Sequence, residues 1–362
     1  MTTMIPLARP LIGEEERSAV DRVLQSGMLA QGPEVAAFET EFRLHFALDR
    51  PCVAVNSGTS GLHLGLIAGG VRPGDEVIVP SFTFAATANA VVLAGGTPIF
   101  ADIEPQYYCL DPASVAHLVT DRTVGIMPVH LYGHPADMVE LGFVADRHGL
   151  QIFEDAAQAH GAQLNGRPVG TFGTFAMFSL YPTKNMTSGE GGMVAVADSD
   201  VERYLRLLRN QGMERPYENE IVGLNNRMTD IHAAIGRVQL TKINTWTKMR
   251  QENARFLTAN LDGVVTPAVA DGAQHVFHQY TVRVPDDRDG LARALRTEFG
   301  IGVGTFYSRP THELPSFRSD QDLPETSRAA AECLSLPVHP AVVERDLHRI
   351  VTAVNTLAGA GG

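Results

Sequence analysis

From residue 52 to residue 153 the chain alternates short apolar runs with helix-length amphipathic segments, and few folds accept that order. Apolar runs at 52–55, 76–79, 97–100, 124–129 and 151–153 are separated by segments of helical spacing at 60–68, 85–93, 113–119 and 138–148. Strand and helix repeated in turn predict a mostly parallel sheet covered by helices on both faces. In such sheets ligands sit at the carboxyl ends of the strands, where the loops begin. Chemistry is therefore expected at those loops.

Runs at 174–180 and 193–196 continue the sheet. Helices follow at 200–210 and 229–261, then a strand at 276–284, a helix at 288–299, a strand at 303–306 and a closing helix at 342–358. We expect a large α/β domain with an N-terminal arm over residues 1–245 and a smaller C-terminal α/β domain over 246–362, bridged by the long helix. The arm consists of helical segments at 14–25 and 34–46 split by Gly27 and Gly32-Pro33, and it reads as wrapping the large domain or a neighbouring subunit. Residues 357–362 form a short Ala/Gly-rich tail.

Composition narrows the partners. A length of 362 residues exceeds one small core, and 44% apolar with 19% charged residues fits a soluble globular protein. The net charge of −12 opposes binding to nucleic acid or an anionic membrane. Cys52, Cys109 and Cys333 form no CxxC pair, which suits a reducing compartment. The sequence has neither a basic-then-apolar leader nor an apolar run of about 18 residues, so a cytoplasmic location is expected.

Four strand-end loops carry unusual residues. In Asn56-Ser57-Gly58-Thr59-Ser60, glycine permits close backbone approach, and the free N–H groups of a helix start suit a phosphate; the same residues also read as a simple helix cap. Phe153-Glu154-Asp155-Ala156-Ala157-Gln158 places two acids at the mouth of a buried strand, where they need a cation or donors; a capping Asp is the plainer reading. In Ser179-Leu180-Tyr181-Pro182-Thr183-Lys184, one lysine follows an apolar strand, and desolvation would lower its pKa enough for attack on a carbonyl, although a surface lysine fits too. Asn225-Asn226-Arg227 precedes the long helix, with Thr229 or Asp230 as its cap. A phosphate, a ring cation and an aldehyde are together the groups of pyridoxal 5′-phosphate.

The motifs then become recognisable. Asn56 to Ser60, Pro80-Ser81-Phe82-Thr83-Phe84, Pro128-Val129-His130-Leu131-Tyr132-Gly133, Glu154 to Gly161, Pro182-Thr183-Lys184-Asn185, Gly189-Glu190-Gly191-Gly192, Leu208 to Gly212 and Asn226 to Asp230 resemble, in order, those of the DegT/DnrJ/StrS sugar aminotransferases. The resemblance covers nearly the whole chain. It implies the fold type I architecture with a seven-stranded large-domain sheet, and a homodimer with two active sites at the subunit interface. It implies Lys184 as the Schiff-base lysine, Asp155 as the partner of the pyridinium nitrogen and Gln158 as a donor near the ring hydroxyl. Phe84 and Ala157 would flank the ring. Gly58, Thr59, Ser60 and Ser179 would hold the phosphate, helped by Asn225, or its neighbour Asn226, from the other subunit.

The implied reaction moves an amino group from L-glutamate to a keto group of a nucleotide-activated deoxysugar, for secondary-metabolite or surface-polysaccharide biosynthesis. A keto-cyclitol acceptor is the alternative, and a non-catalytic cofactor-binding module a more distant one. Leu180, Tyr181 and Gln211 depart from the family pattern and bear on substrate identity, as does His312 in Thr311-His312-Glu313 near the expected substrate entrance. The intact Lys184 argues against the family's dehydratase branch. His130 with His134, and His275 with His278, lack helical context for a metal site, so no metal is expected. Trp246 and the stripe 231–240 read as core or dimer surface, and His339 as structural.

Overall fold

A computed structural model describes residues 4–358; residues 359–362, most of the Ala/Gly tail, lie outside it. Seven strands form the central sheet: β1 (Cys52–Val55), β2 (Glu76–Pro80), β3 (Thr97–Ala101), β4 (Thr123–Ile126), β5 (Gln151–Asp155), β6 (Phe175–Ser179) and β7 (Gly192–Val196). Their order is β1-β7-β6-β5-β4-β2-β3, and only β7 runs against the others. This is the mostly parallel sheet that the alternation predicts. Helices α1 (Glu14–Ser26), α2 (Pro33–His45), α3 (Gly58–Ala68), α4 (Ala86–Leu93), α5 (Pro112–Leu118), α6 (Met138–His148) and α7 (Ser199–Arg209) accompany it. Several start where a side chain caps them: Ser57 on α3, Asp111 on α5, Asp137 on α6 and Asp198 on α7 each accept first-turn amides.

After a small hairpin, β8 (Met213–Arg215) and β9 (Glu218–Asn219), comes α8 (Asp230–Asn260), which runs through position 245 without a break. Thr229 caps α8, whereas Asp230 accepts the amides of Gly32 and Val35 at 2.8 and 3.1 Å and so caps α2, nearly two hundred residues earlier. A Cβ on Gly236 would sit 2.5 Å from the Phe38 ring, so this glycine lets α2 lie against α8. The arm packs on its own chain's long helix, with Ala19 and Val23 of α1 against Ala234.

The C-terminal region corrects two expectations. The strand expected at 276–284 is confined to β10 (Tyr280–Arg283), because Phe277 takes a left-handed φ of 45° that ends an extended run. Residues 303–306 make only an isolated bridge, Gly304 to Ser335; the true partner of β10 is β11 (Cys333–Leu336), which follows α10 (Pro324–Glu332). Helices α9 (Arg288–Thr297) and α11 (Glu344–Ala358) complete a second core around Tyr280, Leu334 and Ile350. Among the described residues no helix is long and apolar enough to cross a membrane.

Candidate active site

A cavity of about 670 Å³ opens at the carboxyl ends of the strands, and three strand-end loops of the sheet wall it. Ser57, Gly58 and Thr59 follow β1, Asp155, Ala157 and Gln158 end β5, and Ser179, Tyr181 and Lys184 follow β6. The parallel topology brings these distant segments together.

At the first corner, Ser57 Oγ accepts the Ser60 amide and its carbonyl accepts the Gly61 amide. The first amides of a helix have no intrahelical acceptor, so those of Gly58 and Thr59 remain for a ligand. A Cβ on Gly58 would come within 3.1 Å of the Ser179 Cβ, so the glycine keeps this corner open. Ser60 is the exception among the expected phosphate groups. Its hydroxyl pairs with Ser57 Oγ at 2.9 Å, and it is not part of the cavity wall.

The two acids of β5 part company because successive strand residues face opposite sides. Glu154 is fully buried and accepts the amides of Gly170, Phe172 and Gly173 at 2.7 to 2.9 Å, with His130 Nε2 at 3.2 Å. Burial opposes its charge, but the His130 bond and the amides outweigh burial and hold its pKa below the ordinary value. Asp155 faces the cavity and accepts the Thr87 hydroxyl at 2.8 Å and the Ala157 amide at 3.1 Å. Here burial dominates and raises the pKa, with Thr87, Ala157 and Lys184 pulling the other way. A cation beside Asp155 would restore its charge.

Lys184 closes a turn whose backbone amide meets the Tyr181 carbonyl at 2.9 Å. Its half-buried side chain borders the cavity. Desolvation brings its amine down to about 8, against the pull of Asp155. Gln158 Oε1 accepts the Tyr132 amide at 2.7 Å, which leaves Nε2 as donor toward Tyr307 and the cavity. Phe84 is exposed at the rim, 6.2 Å from the Tyr307 ring.

Not every expected residue arrives here. Of the two departures beside the lysine, Tyr181 borders the cavity, but Leu180 is wholly buried in the core with Phe178 and Met186. His312 is buried with Nδ1 2.6 Å from Ser81 Oγ and its ring near Phe100, outside the cavity wall. It staples the loop after β2. Gln211 and Asn225 flank the β8–β9 hairpin, exposed and away from their own chain's cavity. The tip residue Tyr217 is 96% exposed.

Several wall residues are not among the expected site residues: His278, which the sequence raises only as a metal ligand, Phe306 and Tyr307 from the C-terminal half, and Leu7 and Ala8 from the N-terminal segment. That segment is tied to the C-terminal region through Ile5 and Gly302 and through Pro6 to His339 Nε2 at 2.9 Å. Thr83 and Thr87 sit four residues apart and both reach the wall, a spacing that could have been noticed. His130, His134 and His275 spend ring nitrogens on backbone partners, and among the described residues no cluster of His, Cys, Asp or Glu is arranged for a metal.

Known proteins share this organisation throughout. The chain is 40% identical over 345 residues to the pleiotropic regulatory protein of Geobacillus stearothermophilus, covering 92% of each. It is 40% identical to the dTDP-3-amino-3,4,6-trideoxy-alpha-D-glucose transaminase of Streptomyces venezuelae, over 95% of this chain and 92% of that one. The crystal structure of S. venezuelae DesV, in complex with a ketimine intermediate, superposes with a TM-score of 0.93 at 39% identity and covers 99% of both chains. Residues 10–355 match the model of one family, a span that includes Lys184 and Asp155 of the cavity. The protein is a fold type I enzyme and a member of the DegT/DnrJ/EryC1/StrS aminotransferase family.

Proposed function

We propose that the protein uses pyridoxal 5′-phosphate to move an amino group from L-glutamate to a keto group of a nucleotide-linked deoxysugar. The observation that carries this reading is the convergence of Lys184, Asp155 and the amide-lined corner at Gly58 and Thr59 on one cavity. Each group has a matching feature of the cofactor. The helix N-terminus with Thr59 and Ser179 would hold the phosphate, Asp155 the protonated ring nitrogen, Gln158 Nε2 the ring hydroxyl, and Lys184 the aldehyde. When bound, pyridoxal phosphate supplies a carbonyl that captures amines and a ring that takes up the electron pair left by a departing proton.

The chain's own residues do the rest. Lys184, with its amine near pH 8, is partly neutral at physiological pH, so Nζ can take a proton from a substrate carbon and return it. Asp155 would keep the ring nitrogen charged. Phe84 and Ala157 would flank the ring, and Tyr181, Phe306 and Tyr307 line an aromatic mouth suited to a sugar face. The protein acts as a homodimer in which the exposed hairpin carries Gln211 and Asn225 toward the neighbouring subunit's cavity.

The reading is tested with 15N-glutamate and other 15N-labelled amino donors against a panel of dTDP-, UDP- and GDP-linked ketosugars and keto-cyclitols, with mass spectrometry of the products. Transfer of the label to a nucleotide sugar is expected. Transfer to a keto-cyclitol alone would replace the substrate class and keep the reaction, and no transfer from any donor would overturn both. The similarity to the transaminase of S. venezuelae, together with intact Lys184 and Asp155, favours the enzyme over a binding module.

A further inference from the structure

Asp155 is the inner end of a chain of hydroxyls. Its Oδ2 accepts from Thr87 Oγ1 at 2.8 Å, and Thr87 Oγ1 lies 3.1 Å from Thr83 Oγ1. Thr87 and Thr83 are 1% and 3% exposed, so neither hydroxyl has bulk water as a substitute partner. A threonine hydroxyl carries a single hydrogen. If Thr87 gives it to the carboxylate, then the contact with Thr83 can only be one in which Thr83 donates. The result is a directed relay, from Thr83 O–H to Thr87 Oγ1 and from Thr87 O–H to Asp155 Oδ2. Thr83 is itself held in place, because its carbonyl accepts the Thr311 hydroxyl at 2.9 Å and the neighbouring Ser81 carbonyl accepts the Thr311 amide at 2.9 Å.

The direction matters. An ionised carboxylate is acceptor-only and fits a relay that points at it, whereas a protonated Asp155 would bring a hydrogen that needs an acceptor of its own. A donor aimed at the charged form favours that form. The other ionisable groups around Asp155 are Lys184, whose positive charge would act in the same sense, His130, which accepts the Ala136 amide at Nδ1 and turns Nε2 to Glu154, and Tyr307. Of the two bonds that Asp155 accepts, the Thr87 bond is the one a side chain supplies.

We propose that Thr87, oriented by Thr83, is a positioning residue that keeps Asp155 ionised and thereby keeps the ring nitrogen of the bound cofactor protonated. The proposal rests on the pyridoxal phosphate reading of the cavity. It also gives Thr83 and Thr87 a role in the electronics of the site.

The test uses the holoenzyme loaded with pyridoxal phosphate carrying 15N in the ring, and follows the 15N shift against pH in the wild type, Thr87→Val, Thr87→Ser and Thr83→Val. Valine keeps the shape of threonine, and serine restores the hydroxyl without the methyl. In Thr87→Val the ring nitrogen should lose its proton at a pH at least one unit lower than in the wild type, a tenfold weakening of proton binding. Thr87→Ser should overlay the wild type, and Thr83→Val should shift in the same direction by less. An unchanged midpoint in Thr87→Val overturns the relay, and so does a serine variant shifted as far as valine, which would make the methyl and not the hydroxyl responsible. Those failures leave the cofactor assignment standing. A wild-type protein that takes up no cofactor contradicts the assignment itself and the relay with it.

Discussion

The two faces of β5 carry adjacent acids that the fold treats in opposite ways. On the core face, Glu154 has three backbone amides and His130, and every partner belongs to the protein. On the cavity face, Asp155 has one hydroxyl and one amide, with burial pressing it toward neutrality. A buried charge that is fully partnered holds structure, because removing one partner strands the rest. A buried charge left short of a cation is poised to accept one from outside. The difference marks which acid stabilises the fold and which waits for a ligand, although the sequence places them side by side.

Mutations on the two faces should therefore fail in different ways. The largest effect is expected from Lys184→Ala, across the cavity from Asp155, which should lower kcat on the order of 10⁴-fold at unchanged melting temperature. Steady-state turnover with thermal unfolding on the same preparation checks it, and a variant that keeps its rate would remove Lys184 from the chemistry. Glu154→Gln should cost about 3 kcal/mol of stability, because an amide NH2 cannot accept the buried amides that now meet the carboxylate, while the folded fraction keeps its turnover. Denaturant unfolding reads the loss.

Asp155→Asn should do the reverse, lowering kcat roughly 10²-fold while the cofactor-free protein stays as stable as the wild type or gains slightly. Its raised pKa means that folding already works against its charge. If Asp155→Asn and Glu154→Gln proved equally destabilising and equally slow, the contrast between the faces would collapse.

Acid should act through a further set of buried groups. Burial lowers His134 to about 4 and His160 to about 3, and puts His275 and His278 well below the ordinary value of 6.5. As pH falls below 6.5 the unfolded chain takes up these protons before the folded one. Stability from these groups is therefore full above pH 6.5 and is lost progressively toward pH 3. His160 sits buried among Phe42, Phe46 and Phe178, so His160→Leu should remove about one proton from the slope of stability against pH. Unfolding free energies between pH 7 and 4 measure that slope. The smallest effect is expected at His312, where His312→Ala should cost about 1 kcal/mol through loss of the Ser81 staple and leave the KM for substrate nearly unchanged. A large rise in KM would return His312 to the substrate path.

The sheet was legible because β1 to β4 are each followed by a helix and several helices announce themselves with a capping Ser or Asp. Lys184, Asp155, Gly58, Thr59 and Ser179 were legible because the parallel topology sends the carboxyl ends of β1, β5 and β6 to one edge. What stayed hidden depends on orientation or on distant chain. Nothing in Ser57-Gly58-Thr59-Ser60 says that the last hydroxyl turns back to Ser57, nor that Leu180 points into the core while Tyr181 points out. β11 is four residues long and buried throughout, so it offers no alternation to read. Tyr307 and His278 reach the cavity through long-range packing of the C-terminal region, which no local pattern encodes.

The account turns on which lysine meets the cofactor, and the chain makes that simple to ask, since Lys184, Lys242 and Lys248 are its only lysines. Lys242 is paired with Glu15 and Glu16 on the α8 surface. Borohydride reduction of the holoenzyme followed by peptide mass mapping should place a phosphopyridoxyl group on Lys184 alone, and prior incubation with L-glutamate should abolish the label. A label on Lys242 or Lys248, or none on Lys184, would contradict the account.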